Sequence, residues 1–116
     1  MCLACADDSA PASAPPTPYD LTQEEFKQRM DEPDVVILDV RTPAETSLGM
    51  IEGAEEIDFK AGDFADRVDS LDRDKTYLVY CRSGNRSGKA CALMDELGFR
   101  EVHNLEGGYM GWTEER

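Results

Sequence analysis

The chain lacks long apolar runs and carries few basic residues, and both shortages exclude classes of protein. No apolar run approaches the roughly 18 residues that a membrane-spanning helix requires, so no transmembrane segment is expected. Twelve basic residues against 25 acidic ones give a net charge of -13, which opposes binding to nucleic acid or to an anionic membrane. The 116 residues, 41% of them hydrophobic, suit one globular domain with a core of its own.

Histidine and paired cysteines are also scarce. His103 is the only histidine, and the four cysteines do not have the spacing of a disulfide framework. Cys2 and Cys5 have the spacing of a redox or metal pair, but no second pair accompanies them to complete a structural zinc site. We therefore expect no metal and no other cofactor. Cys91 falls in a helical pattern and is interpreted as a packing residue.

Residues 1–18 are predicted to form a disordered or extended tether. Residues 6–18 contain only Ala, Asp, Ser, Pro and Thr, which offer too little apolar surface to offset the entropy of ordering. Cys5, which opens this tether, resembles the first residue of a bacterial lipoprotein after signal removal, although Cys2 replaces the usual Leu and no apolar signal core is present. Two interpretations stay open: a cytoplasmic protein with a plain N-terminal tether, and a cell-envelope lipoprotein whose upstream segment has been removed.

Residues 19–116 are predicted to form one domain in which strands alternate with helices. Capping boxes at Thr22 with Glu25 and at Thr42 with Glu45 predict two helix starts. Apolar runs and helical spacing predict strands over residues 35–40, 55–59, 76–80 and 100–105, and helices over residues 63–71, 85–97 and 107–116. This alternation predicts an α/β fold whose sheet is mostly parallel, with helices on both faces and ligands bound beyond the carboxyl ends of the strands.

Cys81 stands where one of these strands ends and a helix begins. The first turn of a helix exposes unpaired N–H groups, and its dipole adds partial positive charge. Gly84 and Gly88 allow the backbone to curl with its amides facing inward, and Arg82 and Arg86 add two cations. These features predict an anion-binding loop that favours the thiolate form of Cys81.

Four motifs resemble the successive signatures of single-domain rhodaneses, in the order typical of that family. They are DVRTPAE at residues 39–45, GMIEGA at 49–54, CRSGNRS at 81–87 and LEGGYMGW at 105–112. The resemblance implies a three-layer α/β fold with a five-stranded, mostly parallel central sheet. A monomer is expected, although the sequence leaves the oligomeric state open. The resemblance also implies a thiosulfate sulfurtransferase-type enzyme, in which Cys81 takes sulfur from a sulfane donor as a persulfide and passes it to cyanide or to a thiol.

The resemblance further implies roles for individual residues. The backbone amides of the loop would line the sulfur, and the guanidinium groups of Arg82 and Arg86 would attract an anionic donor such as thiosulfate. Asp39 and Arg41 lie at the carboxyl end of the strand predicted over residues 35–40, which a parallel sheet should bring near the cysteine loop, and they receive supporting roles together with Ser87. Asp39 would brace a loop arginine or a backbone amide, and Arg41 would tie neighbouring loops together; a purely local ion pair is the alternative. The sequence departs from the family pattern at Met50 and Glu56, where His, and Asn or His, are common. The predicted sulfur-binding residues are Arg82, Ser83, Gly84, Asn85 and Arg86.

Three other functions compete with this one. A non-enzymatic interaction or sensory module on the same fold usually lacks the cysteine or the glycines of the loop, and this chain has both. A cysteine phosphatase or arsenate reductase on the same fold needs five residues between nucleophile and arginine to fit a tetrahedral oxyanion, but only four separate Cys81 from Arg86. A persulfide carrier that receives sulfur from a partner protein and delivers it to another would use the same loop. The sequence therefore favours sulfur chemistry and leaves carrier and independent enzyme unresolved.

Overall fold

The computed structural model describes residues 15–114 of the chain, with side chains described up to Trp112. The predictions for Cys2, Cys5 and residues 1–14 of the tether lie outside the described residues. Thr17, inside the predicted tether, lies against Gly88 of the domain, because a Cβ atom added to that glycine would meet Thr17 Cγ2 at 3.2 Å. Within residues 15–114, no helix combines the length and apolar character needed to cross a membrane.

The centre of the fold is a five-stranded parallel sheet, as predicted. The strands lie in the order β1-β5-β4-β2-β3, and each neighbouring pair is parallel. The strands are β1 Asp20–Leu21, β2 Val35–Asp39, β3 Glu55–Glu56, β4 Thr76–Tyr80 and β5 Glu101–Leu105. β1 has no counterpart among the strands predicted from the apolar runs, and β3 is shorter than the predicted residues 55–59.

Within the described residues, five helices cover the sheet: α1 Gln23–Arg29, α2 Pro43–Thr46, α3 Phe64–Asp69, α4 Asn85–Glu96 and α5 Gly108–Glu114. Thr22 and Glu25 form the predicted capping box of α1. At α2, the Glu45 carboxylate accepts the backbone N–H and the hydroxyl of Thr42, each at 3.0 Å. The alternation of strands and helices predicted from the sequence is therefore present.

Two apolar clusters sandwich the sheet, because neighbouring side chains along a strand point to opposite faces. Along β2 and β4, Leu38 and Val79 belong to the cluster that includes α3 and α4, whereas Ile37 and Leu78 belong to the cluster that includes Phe26 of α1 and the end of α5. Burying one such side chain fully stabilises the fold by about 1.5–3 kcal/mol. Both faces of the central strands are covered, which explains their continuous apolar runs.

The carboxyl ends of the central strands meet at one edge of this sandwich. Asp39 at the end of β2 is in register with Tyr80 at the end of β4, so the residues that follow these two strands are neighbours. The backbone N–H groups of Tyr109 and Met110 in α5 donate to the carbonyl oxygens of Cys81 at 2.8 Å and Arg82 at 3.0 Å. The fold thus fixes the cysteine loop from two sides.

Candidate active site

Cys81 lies directly after β4, at the start of the loop that leads into α4. Its sulfur accepts the backbone N–H of Gly84 at 3.1 Å and lies 3.3 Å from the hydroxyl oxygen of Ser87. Gly84 adopts a φ of 106°, a left-handed conformation that favours glycine and turns this N–H toward the sulfur. Cys81 is a free thiol and only 1% exposed. The sulfur is therefore at the floor of the loop rather than on its rim.

The predicted loop residues all occupy this strand-to-helix connection. Ser83 precedes the N-cap residue Gly84, and Asn85 and Arg86 form the first turn of α4. Among the backbone amides of the loop, the Gly84 N–H makes the described hydrogen bond to the sulfur. The amides of the other predicted residues lie in the same turn and make no described bond to the sulfur. Their contribution to sulfur binding stays a prediction.

A cleft of about 220 Å³ adjoins the loop. Apolar, cationic and acidic side chains from three parts of the chain line it: Arg41, Glu45, Leu48, Arg82, Tyr109 and Met110. Leu48 is 89% exposed and is the large hydrophobic residue that stands out from the surface of the described part of the chain. The cleft that reaches the loop at Arg82 is thus partly apolar.

Arg41 and Asp39 form a buried ion pair beside this cleft. Three hydrogen bonds of 2.8–3.1 Å join the Arg41 guanidinium to the Asp39 carboxylate. Arg41 also donates to the carbonyl of Gly49 at 2.6 Å and lies 4.2 Å from the ring centroid of Tyr109. Burial alone would lower the pKa of Arg41, but Asp39 raises it above its ordinary value. Arg41 thus joins the segments after β2 to α5. Asp39 also accepts the backbone N–H of Arg41 at 3.0 Å, so it bonds to a backbone amide, as expected, and to the Arg41 side chain, but has no described bond to an arginine of the cysteine loop.

Arg86 is held by Glu45 of α2. Two parallel hydrogen bonds of 2.8 and 2.9 Å join the guanidinium to both carboxylate oxygens, the strong bidentate arrangement of an arginine and a carboxylate. Because of these bonds, the pKa of Glu45 is lowered to about 2. Arg82, by contrast, is exposed, and its side chain makes no described hydrogen bond or ion pair within residues 15–114. The two arginines of the loop therefore differ: one is neutralised, and the other is available.

Sequence reasoning does not find Asn104, which contacts Ser87, or Asp20, which bonds to Asn104. Ser87, predicted as a supporting residue, lies in very short contact with the side-chain oxygen of Asn104 in β5. Asn104 in turn donates to Asp20 of β1 at 2.8 Å. A buried polar residue in the otherwise apolar second half of β5 was the available signal for Asn104. Asp20 offered no signal, because its role depends on strand pairing.

A cysteine in a glycine-containing loop between a parallel strand and a helix N-terminus is an arrangement suited to holding an anionic sulfur or an oxyanion. The chain belongs to the rhodanese-like family: the family profile described as Rhodanese-like domain matches residues 22–115. It is 37% identical over 95 residues to a sulfurtransferase of Allochromatium vinosum, covering 81% of this chain and 87% of that one. It is 43% identical over 82 residues to the putative sulfurtransferase YtwF of Bacillus subtilis, covering 71% and 77%.

Solved structures of rhodanese-related proteins have the same fold. A rhodanese-related protein of Thermoplasma volcanium superimposes with a TM-score of 0.73 and 30% identity, over 83% of this chain and 91% of that one. Because both chains are covered almost fully, the similarity extends over the whole domain rather than over the loop alone. The prediction of a rhodanese-like domain is confirmed.

Proposed function

We propose that the protein moves sulfane sulfur from an anionic donor, thiosulfate or a persulfide, to a thiophilic acceptor through a persulfide on Cys81. The observation that carries this proposal is the sulfur of Cys81 at 3.1 Å from the Gly84 N–H, at the N-terminus of α4. A sulfur anion in this position faces a hydrogen-bond donor and the positive end of a helix dipole. We assign the activity to residues 19–116.

The reaction has two displacement steps on sulfur. In the first, the Cys81 thiolate attacks the outer sulfur of the donor, the donor's sulfur–sulfur bond breaks, and its remainder leaves with the electron pair, as sulfite when the donor is thiosulfate. In the second, cyanide or a thiolate attacks the terminal sulfur of the persulfide, and Cys81 leaves as the thiolate. Cys81 carries a negative charge before and after each step, as the thiolate or as the persulfide. The same hydrogen-bond donors of the loop therefore stabilise both forms.

Arg82 is the group best placed to attract the donor. It is exposed, lines the cleft and is unpaired among the described residues. Arg86 contributes more weakly in this proposal, because Glu45 neutralises its charge. The loop length also suits sulfur transfer better than phosphate chemistry. Only four residues lie between Cys81 and Arg86, so the loop is small for a tetrahedral oxyanion.

A second candidate is a persulfide carrier that exchanges sulfur with a partner protein. The observation that favours it is Leu48, a large apolar side chain that is 89% exposed in the lining of the cleft. Exposed apolar residues at the entrance of a site suit contact with the apolar surface of a partner. Both functions use the same persulfide on Cys81.

Intact-protein mass spectrometry tests the shared step. Incubation with thiosulfate or glutathione persulfide should add the mass of one sulfur atom, and cyanide should remove it. The Cys81→Ser variant should gain nothing, whereas the control Cys91→Ala, which keeps the loop, should gain the atom as the native chain does. Sulfur bound to another cysteine would overturn the assignment. Turnover over a panel of thiosulfate, mercaptopyruvate, glutathione persulfide and phenyl phosphate then separates enzyme, carrier and phosphatase.

A further inference from the structure

A chain of buried hydrogen bonds runs from the sulfur of Cys81 across the sheet to β1. Ser87 Oγ lies 3.3 Å from Cys81 Sγ and in very short contact with Asn104 Oδ1. Asn104 Nδ2 donates to Asp20 Oδ1 at 2.8 Å. Ser87 is 0% and Asn104 is 2% exposed, so both partners are shielded from bulk water. The reactive sulfur is therefore connected to a carboxylate of another strand.

Asp20 fixes the direction of this chain. A carboxylate can only accept hydrogen bonds, and Asp20 accepts from the Thr17 backbone N–H at 3.0 Å, from the Thr17 hydroxyl at 2.6 Å and from Asn104. Burial would raise the pKa of Asp20, but these hydrogen bonds lower it below its ordinary value, so the group is ionised. Because Asn104 turns its NH₂ group toward Asp20, its oxygen faces Ser87.

Ser87 has one hydroxyl hydrogen for two acceptors. When that hydrogen points to Asn104, a lone pair of Ser87 faces the sulfur, which suits a neutral thiol donating its own hydrogen. When the sulfur is an anion, the same lone pair is repulsive, and the hydroxyl has to turn toward the sulfur. Asn104 then loses its donor in a buried position, which costs free energy.

We propose that Asn104 and Asp20 are positioning residues that compete with the sulfur for the Ser87 hydrogen, and so hold the reactivity of Cys81 below the level that its loop alone would give. The proposal rests on the proposed function only in that Cys81 is the nucleophile. In this proposal the Ser87 hydroxyl rotates, and its hydrogen points to Asn104 when the sulfur is neutral and to the sulfur when it is charged. Loosening the hold of Asn104 should make Cys81 more reactive, not less.

Other charged and titratable groups lie on the loop and on the elements packed around it, and have to stay constant in a test. They come from the loop, from α4, from the segment after β2, from α2 and from α5: Arg82, Arg86, Cys91, Arg41, Glu45 and Tyr109. None of these is changed by a substitution at Asn104. A substitution at Asp20 removes a negative charge as well as a hydrogen-bond acceptor, so its effect contains an additional through-space contribution.

The test measures the rate at which iodoacetamide alkylates Cys81 as a function of pH, followed by mass spectrometry. Asn104→Leu, which is uncharged and similar in shape, should raise the rate in the acidic part of the profile by about threefold to tenfold, the effect of one net hydrogen bond. In a Ser87→Ala background the same substitution should change the rate by less than about twofold, as expected when both act through one interaction. No sulfur donor is involved, so a failure of the proposed function leaves this readout unaffected.

Asp20→Asn provides a second, isosteric variant. An asparagine at position 20 can donate a hydrogen bond to the side-chain oxygen of Asn104. Asn104 would then turn its own NH₂ group toward Ser87, and the Ser87 hydroxyl hydrogen would be free to bond to the sulfur. Its acceleration should be larger in the native background than in the Ser87→Ala background. Equal effects of either substitution in both backgrounds would overturn the proposal, as would an unchanged profile in variants that still unfold cooperatively on heating.

Discussion

Replacing Gly108 by alanine should displace the cysteine loop. Gly108 opens α5 with a φ of 61°, in the left-handed region. A Cβ atom added there would lie 2.5 Å from the carbonyl carbon of Arg82 and 2.6 Å from the backbone nitrogen of Ser83. Real Cβ contacts of this length are essentially absent from proteins, and the neighbours are backbone atoms that cannot rotate away. Either the loop or α5 has to move.

The magnitude follows from two contributions. A residue with a Cβ atom in the left-handed conformation costs about 1–2 kcal/mol, and forcing extra volume into a packed site costs about 1–3 kcal/mol. The expected loss of unfolding free energy is therefore about 2–5 kcal/mol, or at least about 8 °C in Tm for a domain of this size. An ordinary contact of 3.4 Å requires the Ser83 nitrogen to retreat by about 0.8 Å. A displacement near 1 Å at a catalytic group costs about a hundredfold in rate.

Gly107 supplies a matched control one residue away. Its φ is 83°, so alanine is strained there too, but nothing lies within 4 Å of its added Cβ atom. Gly107→Ala should lose about 1–2 kcal/mol and keep the reactivity of Cys81. Thermal unfolding and the rate of persulfide formation from thiosulfate measure the two effects separately. Equal losses of stability and equal rates in the two variants would refute the argument that Gly108 supports the loop.

Two further predictions concern titratable groups. Glu45→Gln should lower the unfolding free energy by about 1 kcal/mol at pH 7, because it removes a partly buried bidentate ion pair with Arg86. The folded-state pKa of about 2 lies below the ordinary 4.5, so this stabilisation is complete above pH 4.5 and is lost toward pH 2. Urea unfolding over that range should show the native and variant curves converging, and a constant gap would contradict the assignment. Burial raises the pKa of Cys91, so native-state alkylation at pH 8 should modify Cys81 first, and mass spectrometry showing equal rates would disprove it.

The sequence predicted the elements that are specified locally. β4 covers residues 76–80 as predicted, because an apolar run buried on both faces has a clear beginning and end. The start of α1 follows from the Thr22 and Glu25 capping box, which needs only four consecutive residues. β1 was missed because two residues carry no periodicity, and its strand character comes from pairing with β5. The end of β3 was placed too late, although the N–H of Ile57 still donates to the carbonyl of Asp39.

The candidate site divides in the same way. The cysteine loop could be predicted because its residues are contiguous, and the strand and helix that flank it set its geometry. The partner of Arg86 could not be predicted, since Glu45 is 41 residues away and reaches it only through the packing of α2 against the loop. The contact of Asn104 with Ser87 could not be predicted either, because it depends on the parallel pairing that brings β5 beside β4. Residues that act on the loop from other strands carry no local pattern that marks them.

Three arginines surround the loop, and carboxylates neutralise two of them. Arg41 is paired with Asp39. Arg86 is paired with Glu45, whereas Arg82 has no such partner within residues 15–114. Because the chain carries a net charge of -13, its long-range field repels the anionic donors of the proposed reaction. Attraction therefore has to act at short range, through Arg82 and the peptide N–H groups of the loop. Interactions at a buried sulfur are screened by salt far less than those at the surface, so the loop of this acidic protein could still stabilise the negative charge of the proposed persulfide.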